Sequence, residues 1–150
     1  MTSPIGTRRF AVLFFGLACL MLFSACGDGR RRVYPVTGQI FVDGKPAANA
    51  FVYFTAVDDK DPRVVRPFAQ ADKEGNFALA TYVAGDGVPA GDYILTFEWR
   101  EPSGMFKQDW EGRDKLNGAF MDVKNSKFKV TIEAKPNELG PFHLSTSKSK

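Results

Sequence analysis

Two cysteines and one histidine in 150 residues leave this chain short of the side chains that most often hold transition metals or attack substrates. A zinc site commonly needs more nitrogen or sulfur ligands than so few can supply. His143 has no Gly-x-Ser-x-Gly elbow to serve, which argues against a Ser/His/Asp triad, and the acid, base and nucleophile set of an enzyme is missing. Charge of one sign is lacking too, with 20 basic against 17 acidic residues. There is no clustered basic face of the kind a nucleic-acid binder needs. The acidic stretch Asp58-Asp59-Lys60-Asp61 and the pair Asp72/Glu74 lack the spaced pattern that converges six to eight oxygens on calcium, so they read as solvated loops. No cofactor, metal or nucleic-acid partner is expected. A membrane-spanning run is absent as well. The apolar stretch from Phe10 to Phe23 has 14 residues, against the ~20 a spanning helix requires.

What is present begins at the amino terminus. Arg8 and Arg9 precede that apolar stretch, which ends in Phe23-Ser24-Ala25-Cys26. A basic segment, a hydrophobic core and small residues before a cut site make a secretory signal over residues 1–25. Phe23-Ser24-Ala25-Cys26 resembles the lipobox of bacterial lipoproteins, with Phe23 where that family prefers Leu. The resemblance implies diacylglycerol on the Cys26 sulfur, cleavage before Cys26, and in many bacteria a third acyl chain such as palmitate on the new amino terminus. The expected location is therefore extracytoplasmic and membrane-anchored, periplasmic or at the cell surface. An uncleaved anchor is the alternative, since Arg30 to Arg32 place basic charge on both flanks and give no orientation by the positive-inside rule. Thr7-Arg8-Arg9 also approaches a twin-arginine export signal, with Phe10 one place early. Gly27, rather than Asp, leans toward the outer membrane on the sorting rule of some bacteria.

Cleavage would leave 125 residues with 18 basic and 17 acidic side chains, enough for one domain. Cys19 would leave with the signal and Cys26 would carry lipid, so no thiol remains for a disulfide. Ten Phe, four Tyr and two Trp remain to build a core. Residues 26–33 read as the lipidated cysteine and a flexible tether. Within it Arg30 to Arg32 either meet anionic head groups, at about 1 kcal/mol per charge, or are simply solvated.

From Tyr34 the chain alternates short apolar runs with turn residues, as an all-β domain over 34–145 does. Seven strands are expected: 36–42, 50–56, 68–72, 76–81, 92–100, 127–133 and 139–144. Val36, Ile40 and Val42 share a face. Asp43-Gly44 turns the chain and Pro46 ends the ladder. Phe51 to Phe54 are apolar on both faces and suit an interior strand. Residues 57–67 form a solvent loop, and 82–91 a crossover. Tyr93, Leu95, Phe97 and Trp99 point one way, Ile94 and Thr96 the other. Phe128, Val130 and Ile132 face inward, Lys127, Lys129 and Thr131 outward. Residues 101–125 are irregular, with a turn of helix at 114–117, and residues 146–150 are a disordered tail. His143, between Phe142 and Leu144, points out of the last strand.

Three stretches carry a second resemblance. Val36-Thr37-Gly38-Gln39-Ile40 with Asp43-Gly44-Lys45-Pro46 and Ala50-Phe51-Val52-Tyr53-Phe54 resembles the opening of carboxypeptidase regulatory-like domains. Asp72-Lys73-Glu74-Gly75-Asn76-Phe77 is similar to their second signature, and Pro89-Ala90-Gly91-Asp92-Tyr93 with the strand that follows to their third. The resemblance implies a seven-stranded transthyretin-like (prealbumin-like) Greek-key β-sandwich. These residues serve turns and packing, and a fold does not name an activity. Transthyretin-fold hydrolases of a purine-degradation intermediate depend on several histidines and a Tyr-Arg-Gly-Ser ending. This chain has one histidine and ends Ser-Thr-Ser-Lys-Ser-Lys.

The binding candidates are Trp99, Phe106 and Trp110, aromatics set beside Asp109, Glu111 and Arg113. They suit a sugar platform or a protein hot spot, or else they plug the open end of the sandwich. The function expected is that of a non-catalytic, lipid-anchored, monomeric envelope module for protein interaction, scaffolding or adhesion. Membrane lipid through Cys26 and an envelope protein are its partners. A carbohydrate-binding module using exposed aromatics is the alternative.

Overall fold

The structure is a computed structural model that describes residues 29–58, 65–102 and 112–146. The chain divides into compact units Met1–Arg31 and Arg32–Lys150. Every described strand belongs to the second, which is all-β. Among the described residues there is no helix, and so none long and apolar enough to cross a membrane. Among the described residues, eleven short segments stand where seven strands were expected. They are β1 (Val33–Tyr34), β2 (Val36–Val42), β3 (Lys45–Pro46), β4 (Phe51–Ala56), β5 (Phe68–Gln70) and β6 (Asn76–Ala78). β7 (Val88–Pro89), β8 (Gly91–Glu98), β9 (Lys129–Ile132), β10 (Asn137–Glu138) and β11 (Phe142–Leu144) complete the set.

Two sheets dominate. In one, β2 is central: β6 and β3 pair with it antiparallel, and β10 and β11 pair with it parallel. The other runs β5-β4-β8-β9, antiparallel throughout. A separate pair, β1 with β7, joins the residues just before β2 to those just before β8. β5 and β6 form a hairpin that crosses between the two sheets. Its turn is closed by Asp72, whose carboxylate accepts the Glu74 and Asn76 N–H groups at 3.0 and 2.8 Å.

Apolar alternation decides which face of each strand is buried. Val36, Ile40 and Val42 of β2, Val52 and Phe54 of β4, Leu95 and Phe97 of β8, and Ile132 of β9 are all at most 2% exposed and form one core. A chain of phenylalanines knits the two sheets together. Phe142 of β11 lies 5.3 Å from Phe97 and 6.2 Å from Phe77, centroid to centroid. Gly38 faces this core with no side chain because the Phe77 ring occupies its place. A Cβ there would sit 2.5 Å from the ring. Two principal sheets enclosing a common core are what a β-sandwich consists of.

Some boundaries moved, for local reasons. Asp43 and Gly44 take positive φ, +49° and +77°, which makes the two-residue hairpin expected of Asp-Gly. The ladder does not stop at Pro46, however. Pro46 sits opposite Phe41 where it owes no hydrogen bond, and Ala47 resumes with its N–H on the Ile40 carbonyl at 2.9 Å. The last strand was expected over 139–144, but only β11 at its end is strand, and Asn137 and Glu138, expected to turn the chain, form β10 ahead of Gly140-Pro141. Residues 114–117 are not helical. Three successive turns run from Asp114 to Met121, each closed by an N–H three residues on. Val33, assigned to the tether, is already in β1, and Thr146, assigned to the tail, donates its N–H and hydroxyl to Asp43.

Candidate functional site

β4 is where both faces matter. Its inward residues Val52 and Phe54 are fully buried, while Phe51 and Tyr53 stand on the outer face of the β5-β4-β8-β9 sheet. Register sets Tyr53 between Phe68 of β5 and Thr96 of β8, and Phe51 between Gln70 and Glu98. Phe51 and Tyr53 rings are 6.2 Å apart at 13°, and Tyr53 and Phe68 are 6.4 Å apart at 29°. Phe68 ends this row 48% exposed. Three near-parallel aromatics on a solvent-facing sheet therefore run across two strands.

The row is bordered by charge that is internally matched. The Tyr53 hydroxyl donates to Glu98 Oε2 at 3.2 Å, and the Arg100 guanidinium meets Glu98 Oε1 at 2.8 Å. Glu98 is only 7% exposed with both oxygens engaged. Burial, reinforced by the Glu98 charge, pushes the Tyr53 phenol above its ordinary pKa. The Glu98 contact raises the Arg100 pKa, so this cation stays charged. A carboxylate committed to two donors orients its neighbours. The surface is thus suited to contact: aromatic area with a fixed hydrogen-bonding border.

Of the residues singled out in sequence, Trp99 is half-buried at the end of β8 on the core side. Its indole N–H donates to the Ala48 carbonyl at 2.9 Å, and Lys115 Nζ lies 4.0 Å from its ring centroid. Its own backbone N–H is taken by Asp114. Phe106, Trp110 and Cys26 lie outside the described residues. His143 is exposed on the outer face of the other sheet, stacked on Phe41 at 5.3 Å. Among the described residues no three His, Cys, Asp or Glu side chains converge as a metal site would require. Asp72 is spent on its hairpin. The Phe51–Tyr53–Phe68 row was not singled out, although the reading of β4 as apolar on both faces already held its signal. Phe68 could be added only by knowing the register of β5.

A shallow groove of about 1000 Å³ lies over the other sheet. Thr37 and Gln39 of β2, Asn76 of β6 and Glu138 of β10 are among the residues that line it. Its lining is mixed, with Phe77, Leu139 and Pro141 beside those polar groups, and Gln39 is drawn down onto the Glu74 carbonyl at 2.9 Å.

No protein family and no curated protein matches this chain. Among solved structures it is similar to a DUF3823 family protein from Parabacteroides merdae, at 10% identity and a TM-score of 0.37. That match covers 74% of this chain and 45% of the other. A Pseudomonas aeruginosa protein assigned to carbohydrate binding matches at 13% identity and a TM-score of 0.40, over 79% of this chain and 92% of its own. A 9R-lipoxygenase from Cyanothece matches at 13% identity and 0.39, over 75% of this chain and 16% of that enzyme. This chain thus spans less than half the length of the first and third of these proteins. Similarity this low leaves the functional reading to the residues themselves.

Proposed function

We propose that this protein is a lipid-anchored, extracytoplasmic binding module without catalytic activity, built on a transthyretin-like Greek-key sandwich of the carboxypeptidase regulatory-like kind. In this reading acyl chains on Cys26 hold the domain to a membrane, and residues 27–32 form its tether. The outer face of the β5-β4-β8-β9 sheet then meets an envelope protein. The observation that carries the binding role is the stacked row of half-buried Phe51 and Tyr53 and exposed Phe68, bordered by the Glu98–Arg100 pair. Large rings with few rotatable bonds give contact area at low entropic cost, and such residues dominate interface energetics.

The test is site-specific photocrosslinking in intact cells. A benzophenone amino acid at Phe68 should form a discrete adduct that disappears in a Tyr53→Ala background. The same probe at exposed Lys129 should give none. Equal labelling from both positions would defeat the proposal. The second reading, carbohydrate binding, is favoured by the same row of rings. It would prevail if a glycan array gave binding that Tyr53→Ala, Trp99→Ala or Trp110→Ala abolished in a folded protein.

A further inference from the structure

The exposed apolar residues of this domain are not spread evenly. Five large ones stand out: Val57, Val65, Phe68, Val83 and Met121. Strand directions place Val57, Val65 and Val83 at one pole, while Phe68 lies along the side of its sheet, opposite Tyr53. β2 runs away from β1, so residue 36 lies at the pole where the tether enters. Antiparallel β6 returns to that pole, and residues 79–87 follow it there. β8 starts from it, and antiparallel β4 ends at it, with Val57 donating its N–H to the Asp92 carbonyl at 2.9 Å. Val65 lies two residues before Pro67, whose carbonyl accepts the Phe54 N–H. Met121 is at the opposite pole, beside Phe120, whose carbonyl accepts from Phe97.

Val83 is 62% exposed and held on a rigid loop. The Asp86 carboxylate accepts the N–H groups of Thr81, Tyr82 and Val83 at 2.7, 2.9 and 3.1 Å. The Thr81 hydroxyl closes the loop on the Gly87 carbonyl at 2.6 Å. Gly87, at φ +97°, is pressed so tightly on Tyr34 that an added Cβ would overlap the Tyr34 carbonyl. The loop is thereby fixed to β1, directly beside the tether. Cations share this pole: Arg32, lying 5.4 Å from the Tyr34 ring centroid, and exposed Arg66. Several of its acids are already matched. Glu133 pairs with Lys135 at 2.7 Å, Asp92 receives the Thr131 hydroxyl at 2.5 Å, and Asp86 is filled by backbone. Asp58 stays exposed.

We infer that this pole is a second membrane contact: Val83, Val57 and Val65 dip into the head-group boundary of the bilayer that holds the anchor, and Arg32 and Arg66 meet anionic lipid. The inference rests on the lipid-anchor reading above. Cys26 precedes Arg32 by six residues, a reach of at most ~20 Å when extended, so an acylated chain keeps this pole at the surface. Contacts too weak to bind membrane alone are then effectively intramolecular and set orientation. A rigid apolar tip among arginines suits an interfacial site.

The test uses the full chain, expressed and processed, with single cysteines V83C or M121C carrying an environment-sensitive fluorophore. Acylation of Cys26 leaves the introduced thiol as the labelling site. In proteoliposomes of phosphatidylglycerol and phosphatidylethanolamine, nitroxide-labelled lipid should quench the label at 83 several-fold more than at 121. The difference should shrink in phosphatidylcholine and in the R32Q/R66Q variant. If the protein floats with the vesicles but both labels remain equally water-exposed, this inference is overturned while the anchor stands. If it does not float at all, both fall together.

Discussion

At the residue scale, aspartate in this domain is a builder of turns more than a surface charge. Asp72 closes the β5–β6 hairpin, Asp86 gathers three N–H groups, and Asp114 takes those of Trp99, Leu116 and Gly118. The Asp72 turn is legible from its Asp and Gly, but the other two are not. Their donors lie in segments without periodicity, and Asp114 reaches back 15 residues to Trp99. Three such carboxyls are held below the ordinary carboxylate range. For Asp43 the cause is the Thr146 hydroxyl and N–H, and for Asp122 the Asn125 amide and Lys124 N–H. In Asp86 burial acts upward, but the combined backbone donors outweigh it. A folded-state pKa below the unfolded one adds stability above about pH 4 that is lost as pH falls further. The thermal unfolding temperature should therefore fall below about pH 4, and Asp86→Asn together with Asp43→Asn should flatten that decline. Unchanged acid sensitivity in the double variant would refute this role. Gly87→Ala combines a disfavoured φ with overlap on Tyr34, and should cost more than about 2 kcal/mol in denaturant titrations.

Among the elements, strands with strong alternation were readable and short ones were not. β2 matches its expected bounds, and β4, β8 and β9 fall within a residue or two of theirs, because apolar period fixes both the strand and its buried face. β1, β7 and β10 are two residues each, too short to show a period, and exist through partners distant in sequence. Nothing local could reveal that the final segments run parallel to β2. β8 also departs from simple alternation. Thr96 and Glu98 on its outer side are buried too, at 3% and 7%, which follows from Tyr53 and Arg100 closing over that side. In the core, Phe97→Ala should cost about 3–5 kcal/mol, since the ring contacts Phe128 and Phe142 and leaves a cavity. β9 pairs only with β8 among the described residues and shows Lys127, Lys129 and Thr131 outward. Charged side chains on an edge strand discourage pairing between molecules. The Lys127→Val/Lys129→Val variant should therefore self-associate in sedimentation velocity, where the parent chain should not.

For the molecule as a whole, the two poles divide the labour proposed here. The pole entered by the tether carries Val57, Val65 and Val83. Trp99, capped by Lys115, lies at the other. The aromatic row of β4 and β5 lies along the side between them, where a partner can reach it without competing with the membrane. Much of this was visible in sequence: an all-β domain, its core residues, and the apolar second face of β4. The clustering at one pole was not, because it depends on strand direction. Cys26→Ala should leave an unprocessed, unlabelled precursor when cells are fed radioactive or clickable fatty acid.

Most direct is the intact mass of the protein recovered from membranes. A species comprising residues 26–150 plus the mass of two or three acyl chains on Cys26 is expected. A full-length, unmodified chain found in the cytosolic fraction would contradict the tethered-module reading at its root.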